Sequence, residues 1–254
     1  MKIGVIGAGR LGICFALLLE KAGYDVMVSD CREDYVENLN SRIIKTNEPQ
    51  VADLLGSATN FEAVVDNKVL IKNCDIIYTL VATPSLDDGS YDISSVWKVI
   101  EDIQSCEFPL SEKSFVVGCT TNPGDCELFQ TQLNPYGMDV YYNPEFIAQG
   151  SIIKDLEYAD MVLIGGEGKH LEDLIGIYNG IQVTAPQVHT MSTTAAELVK
   201  LAVNCFLTTK ITYANMVGEV MALSGRESEI DSVLSAIGAD SRVGSKYLKF
   251  GFGF

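Results

Sequence analysis

The sequence predicts an α/β fold: a Rossmann-type, doubly wound parallel sheet followed by a long central helix and a small all-helical domain. Two observations carry this prediction. Short apolar runs alternate with stretches of helical spacing as far as about residue 190, the pattern of parallel strands with helices on both faces. Residues 193–223 then form a mostly apolar stretch without proline, long enough for one continuous helix. We therefore expect two domains, 1–190 and 191–254.

The first βα unit begins with a short apolar strand at residues 2–6. A Gly-x-Gly-x-x-Gly turn follows, and residues 13–22 continue with helical spacing. In such a turn the first glycine permits a tight bend, the second lets the backbone approach a pyrophosphate, and the third lets helix and strand pack closely. Free N–H groups at the helix start would face the phosphates. The predicted dinucleotide-binding residues of the turn are Gly7, Gly9, Arg10, Leu11 and Gly12.

Asp30 closes the second predicted strand. A carboxylate at this position can accept hydrogen bonds from an adenosine ribose, and its charge would repel a 2′-phosphate. The sequence therefore favours NAD over NADP as the cofactor. A glycine turn alone is weak evidence, and a purely structural turn is the alternative. The preceding strand, the following helix and Asp30 together favour a dinucleotide site.

Later apolar runs predict the rest of the sheet, with strands over 75–81, 114–119, 138–142, 160–164 and 181–184. Further helices are predicted over 33–40, 93–105 and 228–238. Thr83, Thr121 and Glu145 lie just past strand ends, where sheets of this kind bind their ligands. We expect these three residues to line one crevice with Gly7 and Asp30.

The long helix is apolar on most of its circumference, which predicts burial between domains or subunits. Glu197, Lys200 and Asn204 share one face of it. A lysine and an asparagine on a largely apolar face are costly unless they have partners. Two interpretations stay open: ligand binding, which we favour, and a structural ion pair between Glu197 and Lys200.

Composition argues against several classes of partner. The formal net charge of −16 opposes binding to a nucleic acid. The seven cysteines are scattered without a C-x-x-C pair, which is typical of neither a disulfide framework nor a zinc site, so no metal is expected. No run reaches the length of a membrane span, and no signal peptide is recognisable. We expect a cytoplasmic protein without a membrane partner.

Six blocks of the sequence resemble the UDP-glucose/GDP-mannose dehydrogenase family, and together they extend over nearly the whole chain. They lie at residues 7–12, 81–84 with 88–89, 120–124, 142–146 with Gly150, 197–204, and 240–244 with 247–253. The glycine turn is generic. The Asn-Pro-Glu-Phe block, followed later by a helix with Lys200 and Asn204, is specific to the family.

The resemblance implies that two NAD⁺ are consumed while the C6 alcohol of a nucleotide sugar is oxidised to a carboxylate. A cysteine thiolate would trap the aldehyde as a thiohemiacetal, and a thioester would form and then be hydrolysed. By similarity, Lys200 and Asn204 would stabilise the oxyanion. Thr121 would position a catalytic water, and Glu145 would act as the general base. Thr83 would contact the nicotinamide side of the cofactor.

The resemblance also implies a nucleotide-sugar substrate, UDP-glucose in the first place, and a homodimer formed through the long helix. Arg242 would reach the sugar in the partner subunit's site. The implied substrate-binding residues are Phe146, Ile147, Gln149, Lys200, Asn204, Arg242, Tyr247 and Gly251.

The chain departs from the family pattern at two single positions. The family block that begins Asn-Pro-Glu-Phe usually continues Leu-Arg-Glu-Gly, whereas Gln149 here keeps hydrogen-bonding capacity without the charge. Tyr35 stands five positions after Asp30, where a basic residue is common in the family. These changes are expected to alter a substrate contact and to weaken the grip on adenosine.

The family nucleophile lies in a Gly-Gly-Ser-Cys-Phe-Pro-Lys-Asp motif directly after the Gly-Phe-Gly-Phe segment, with which this sequence ends at Phe254. Cys119 is better interpreted as a small buried residue than as a substitute nucleophile. We therefore expect the cofactor domain and central helix of a longer enzyme, inactive by themselves. GDP-mannose and UDP-N-acetylmannosamine stay open as substrates, and a non-catalytic NAD-binding or dimerisation module stays open as the alternative function.

Overall fold

A computed structural model describes residues 1–147 and 150–251. The chain divides into two compact units, Met1–Glu197 and Leu198–Phe254. This division falls inside the long helix. The domain boundary expected after residue 190 stays a prediction, because compactness alone does not define a domain.

The first unit is built on an eight-stranded sheet, counted over the described residues, with strand order β3-β2-β1-β4-β5-β6-β7-β8. The strands are β1 Lys2–Ile6, β2 Asp25–Ser29, β3 Phe61–Val64, β4 Ile76–Thr79, β5 Ser114–Val117, β6 Asp139–Tyr142, β7 Met161–Gly165 and β8 Gln187–Met191. Neighbouring strands are parallel, except that β6 and β7 are antiparallel. The strand order reverses beside β1, and this confirms the doubly wound α/β fold.

The helices cover both faces of the sheet in the first unit and dominate the second. They are α1 Arg10–Lys21, α2 Glu33–Asn40, α3 Val51–Ser57, α4 Asn67–Asn73, α5 Ser94–Gln104, α6 Asp125–Leu133, α7 Ile152–Glu157, α8 Leu171–Ile181, α9 Thr193–Leu223 and α10 Ile230–Ala239. The predicted single helix over 193–223 is confirmed as α9. The strand predicted over 181–184 is wrong. Ile181 is the buried last residue of α8, Val183 after it is exposed, and the strand itself begins at Gln187.

Helix α1 positions the glycine turn, because it is buried on nearly every side. Leu17, Leu18 and Leu19 are three consecutive residues with almost no exposed surface. Consecutive residues point in different directions around a helix, so α1 contacts the sheet as well as α3, α7 and α8. Each fully buried leucine contributes about 1.5–3 kcal/mol of transfer free energy. The start of α1 is therefore held rigidly against the end of β1.

The second unit has a small core in which Ala214 of α9 packs with Ile230 and Leu234 of α10 and with Leu248. Several large apolar side chains of α9 stay exposed, among them Phe206, Met216, Val220 and Leu223. The predicted burial of this helix is thus incomplete within the single chain, and its burial against another subunit stays a prediction. Among the described residues, no helix combines the length and the apolar character that a bilayer span requires.

Candidate active site

The glycine turn between β1 and α1 has the geometry that a bound diphosphate requires. Gly7 adopts φ +95°, and a Cβ there would lie 2.8 Å from the carbonyl oxygen of Leu80. A Cβ on Gly12 would collide with the carbonyl oxygen of Gly7. By contrast, a Cβ on Gly9 would meet nothing within 4 Å, and Gly9 is the N-cap of α1. Open space at an uncovered helix start fits a phosphate group.

A cleft of about 790 Å³ opens beside this turn. Its volume lies in the usual range for small-molecule sites, about 300–1,000 Å³. Its lining comes from the turn, from the start of α2, from the segment 44–48 and from Gly150: Ala8, Gly9, Arg10, Ile13, Arg32, Tyr35, Ile44, Lys45, Thr46, Asn47, Glu48 and Gly150. The buried carboxylate of Glu48 accepts a hydrogen bond of 2.8 Å from the Gly150 N–H. Glu48 thus joins two walls of the cleft, a role that sequence reasoning missed.

Asp30, just past the end of β2, is paired with a residue that sequence reasoning also missed. Arg32 Nε lies 2.7 Å from Asp30 Oδ1, and Arg32 Nη2 lies 2.8 Å from Oδ2. Burial would raise the pKa of Asp30, but the hydrogen bonds and charge of Arg32 outweigh it, so the net pKa is lowered. The carboxylate is therefore ionised and oriented at the edge of the cleft.

Tyr35 stands where the family often has a basic residue, and a positive charge lies against its ring. The Arg32 guanidinium lies 4.1 Å from the centre of the Tyr35 ring, close enough for a cation–π contact. The Tyr35 hydroxyl donates a 2.9 Å hydrogen bond to the carbonyl oxygen of Ala8, next to the glycine turn. Arg32, two positions after Asp30, thus supplies a basic residue at this edge, and the weaker grip on adenosine expected from Tyr35 stays a prediction.

Thr121 follows β5 as predicted, but its side chain is fully buried. Its hydroxyl donates a 3.0 Å hydrogen bond to Glu197 Oε1, and Glu197 is itself fully buried. The same carboxylate accepts hydrogen bonds from the backbone N–H groups of Gly124, at 2.6 Å, and Cys126, at 3.0 Å. Glu197 therefore caps the start of α6, where a negative charge is favourable. The alternative Glu197–Lys200 ion pair stays a prediction.

Glu145 follows β6, and its carboxylate is held by a residue that the sequence did not indicate. The hydroxyl of Tyr178, on α8, lies 2.6 Å from Glu145 Oε1 and 2.7 Å from Asn143 Oδ1. Phe146 and Ile147, next in the chain, are half-buried, and so is Thr83 in the loop after β4. Gln149 lies outside the described residues.

The remaining predicted residues belong to the second unit. Lys200 and Asn204 are half-buried on α9. The exposed Arg242 pairs with Asp240 at 2.7 Å. Tyr247 adopts φ +64°, and the Gly251 N–H donates a 2.8 Å hydrogen bond to Asn215 Oδ1. These contacts fix the local backbone after α10, and the roles predicted for the residues stay predictions.

Cys119 lies next to the end of β5, and its thiol is buried. Burial raises its pKa to about 12. A thiol that stays protonated at neutral pH is a poor nucleophile. This environment fits the small-residue interpretation of Cys119.

Residues 1–182 match the model of the NAD binding domain of the UDP-glucose/GDP-mannose dehydrogenase family, and residues 194–254 match the model of its central domain. The chain belongs to this family. The family resemblance found in the sequence is thus confirmed, and so is NAD as the cofactor.

Relatives and solved structures agree with this assignment. The putative UDP-glucose 6-dehydrogenase YtcA of Bacillus subtilis is 31% identical over the whole chain, which covers 60% of that protein. The UDP-glucose 6-dehydrogenase of Rickettsia bellii is 28% identical, with 59% covered. A UDP-glucose dehydrogenase from Pyrobaculum islandicum has a TM-score of 0.88 at 27% identity, with 100% of this chain and 60% of that chain covered. The chain therefore spans about three fifths of the length of these relatives.

Proposed function

We propose that this chain is the cofactor-binding and central part of an NAD-dependent UDP-glucose 6-dehydrogenase, which oxidises UDP-glucose to UDP-glucuronate in two hydride transfers. The observation that carries the proposal is an open glycine turn beside a cleft in a member of this family, with Asp30 oriented by Arg32 just past β2. Glu145, hydrogen-bonded to Tyr178, belongs to the same unit but does not line that cleft. Relatives that bear this name support the choice of substrate.

The cofactor, when bound, supplies a hydride acceptor. Residues 7–12 would hold its diphosphate through backbone N–H groups at the start of α1. Asp30 would accept hydrogen bonds from the adenosine ribose, with Arg32 fixing the two carboxylate oxygens. Thr83 would contact the nicotinamide side.

Glu145 would act as the general base in thioester hydrolysis, by taking a proton from the attacking water. Thr121 donates its only hydroxyl proton to Glu197, so it can act on that water only as a hydrogen-bond acceptor. Because Thr121 has no exposed surface, the water that it positions would be an internal one. Lys200 and Asn204 would stabilise the oxyanion of the thioester step with a positive charge and an amide donor.

The nucleotide sugar would be held mainly by backbone groups. Phe146 and Ile147 would donate their N–H groups to the diphosphate, and Tyr247 and Gly251 would hold it further. Gln149 would contact the sugar through a neutral amide. Arg242 would act in the site of the partner subunit of a homodimer.

The nucleophile would come from the remainder of the longer enzyme, as the family resemblance implies. Two observations support this. The chain spans about three fifths of its relatives, and burial raises the pKa of five of the seven thiols, those of Cys14, Cys74 and Cys119 to about 12. The other two cysteines, Cys31 and Cys205, are exposed. The chain by itself would then bind NAD⁺ without oxidising a sugar nucleotide.

A GDP-mannose dehydrogenase is the second candidate. A ternary complex of such an enzyme from Pseudomonas aeruginosa has a TM-score of 0.84 at 25% identity and covers the whole chain. UDP-N-acetylmannosamine is a further alternative substrate, and a non-catalytic NAD-binding or dimerisation module is the alternative outside enzymes.

The test is the NADH yield of the longer enzyme with each of the three sugar nucleotides. We expect about two NADH per UDP-glucose and far slower turnover of the other two. The same protein with Glu145→Gln should complete both hydride transfers once but stall at the thioester, so it should give about two NADH per active site and no further turnover. Preferred oxidation of GDP-mannose or UDP-N-acetylmannosamine would replace the substrate assignment. No NADH from any of the three would favour the non-catalytic module.

A further inference from the structure

Two buried polar side chains, Tyr178 and Asn143, form a hydrogen-bonded cluster with Glu145. The Tyr178 hydroxyl of α8 lies between Glu145 Oε1, at 2.6 Å, and Asn143 Oδ1, at 2.7 Å. Asn143 is 2% exposed and Tyr178 is 2% exposed. Asn143 Nδ2 donates a 2.9 Å hydrogen bond to the Leu163 carbonyl oxygen on β7, which turns Oδ1 towards the tyrosine.

The Tyr178 hydroxyl has a single proton for two acceptor oxygens. A phenol has one proton, and both neighbouring oxygens accept hydrogen bonds when Glu145 is ionised. The hydroxyl therefore cannot satisfy both of them at the same time. Asn143 competes with Glu145 for the Tyr178 proton, and this competition weakens the hydrogen bond that stabilises the negative charge of Glu145.

The surroundings make this competition effective. The titratable groups that act on the cluster include Tyr178 from α8, Tyr78 from β4 and Tyr24, which precedes β2 and acts on Tyr78. Burial first, and then the Glu145 charge, raises the pKa of Tyr178 and Tyr78 well above the ordinary value, so both stay protonated. The Phe15 ring of α1 lies 4.9 Å from Tyr78 and 6.3 Å from Tyr178, between centroids. In such an apolar setting a hydrogen bond to a charged group is strong.

We propose that Tyr178 is a positioning residue that sets the orientation and basicity of Glu145. Asn143 keeps Glu145 basic, because its Oδ1 competes with the carboxylate for the hydroxyl proton of Tyr178. The inference rests on the proposed role of Glu145 as the general base. A carboxylate that received the whole bond would hold its charge more stably and would accept a proton from water less readily.

The test follows the titration of Glu145 directly, by ¹³C NMR of the 254-residue chain labelled in its glutamate carboxyl groups. Loss of one resonance in Glu145→Gln assigns the signal. Tyr178→Phe removes the donor to the charged form, so the titration midpoint should rise by about one pH unit. Asn143→Ala removes the competing acceptor, so the midpoint should fall.

Tyr141→Phe is the matched control. Tyr141 is equally buried, and its hydroxyl is also hydrogen-bonded, to the His170 N–H at 3.2 Å. Tyr141 lies on β6, but its hydroxyl meets His170, which contacts Ser114 at the start of β5, and not Glu145 or Asn143. The Glu145 midpoint should not move in this variant. An unchanged or lowered midpoint in Tyr178→Phe overturns the proposal, even if Asn143→Ala does not fold.

Activity of the longer enzyme distinguishes a failure of the general-base role of Glu145 from a failure of the positioning role of Tyr178. If the midpoints move as stated but Glu145→Gln leaves thioester hydrolysis intact, the cluster stands and the general-base assignment fails. If Glu145→Gln stops hydrolysis but the midpoint in Tyr178→Phe is unchanged, the general base stands and the role of Tyr178 is overturned.

Discussion

At the scale of single residues, the three glycines of the first turn have different physical roles although the sequence pattern treats them alike. Gly7 needs its positive φ and its close approach to Leu80, and Gly12 needs the absence of a Cβ next to the Gly7 carbonyl oxygen. Gly9 alone borders open space. The first two therefore serve the fold, and Gly9 is the one for which we propose a role in binding the ligand.

Gly12→Ala should destabilise the fold, whereas Gly9→Ala should not. The added Cβ at position 12 would meet backbone that cannot move away, and such overpacking costs about 1–3 kcal/mol. At position 9 the same change should alter the free energy of unfolding by less than about 0.5 kcal/mol. Urea unfolding followed by circular dichroism checks both. Equal losses of stability in the two variants would contradict these roles.

Arg32→Gln should lower the free energy of unfolding by an amount that depends on pH. The folded-state pKa of Asp30 is lowered, so its contribution to stability is fully present above the unfolded value of about 3.9. That contribution is lost as the pH falls through the lowered folded value. The difference between the wild type and Arg32→Gln should therefore be largest near pH 6 and should shrink below about pH 4. Urea midpoints measured from pH 3 to pH 6 test this. The control is Arg226→Gln, which removes the exposed ion pair between Arg226 and Glu229 in the second unit. A difference that does not vary with pH would show that Asp30 is not the cause.

At the scale of elements, the alternation of strands and helices was predictable from the sequence because buried parallel strands read as apolar runs. Helix α9 was predictable over its full extent, since a long proline-free stretch has no competing signal. The strand predicted over 181–184 was wrong because a short apolar run does not distinguish a strand from a helix end and the loop after it, and here only Ile181 is buried. Tyr178, Arg32 and Glu48 escaped prediction as site residues. The partners of Tyr178 and Glu48 come from distant parts of the chain, and a lone sequence does not show which residues the fold brings together. Arg32 stands only two positions from Asp30, but the sequence does not show that its side chain folds back onto the carboxylate.

Glu197→Gln should destabilise the N-terminal turn of α6. The carboxylate accepts three hydrogen bonds through two oxygens, whereas an amide would direct its NH₂ group at a backbone or hydroxyl donor. Loss of charged, buried hydrogen bonds of this kind costs about 2–3 kcal/mol. We expect a lower urea midpoint and faster hydrogen exchange over residues 121–126. Glu101→Gln, on the exposed face of α5, should behave as the wild type. Unchanged exchange in Glu197→Gln would contradict the capping role.

At the scale of the whole molecule, α9 exposes large apolar side chains that a single chain leaves uncovered. Leu223 is 90% exposed and Phe206 is 64% exposed. The proposed homodimer would bury this face. Sedimentation velocity should therefore show a dimer, and Phe206→Glu should shift it towards monomer without lowering NAD⁺ affinity. A wild-type chain that stays monomeric at micromolar concentration would contradict the role of α9 as the interface.

The central claim is that the cleft at Gly9 and Asp30 selects NAD, and calorimetric titration of the chain with NAD⁺ and NADP⁺ tests it most directly. We expect one site per chain for NAD⁺ and at least tenfold weaker binding of NADP⁺, because the Asp30 carboxylate repels a 2′-phosphate. Gly9→Ala should weaken NAD⁺ binding while the chain stays folded, since its methyl group would occupy the open space at the helix start. Equal affinity for the two cofactors, or unchanged NAD⁺ affinity in Gly9→Ala, would contradict the account.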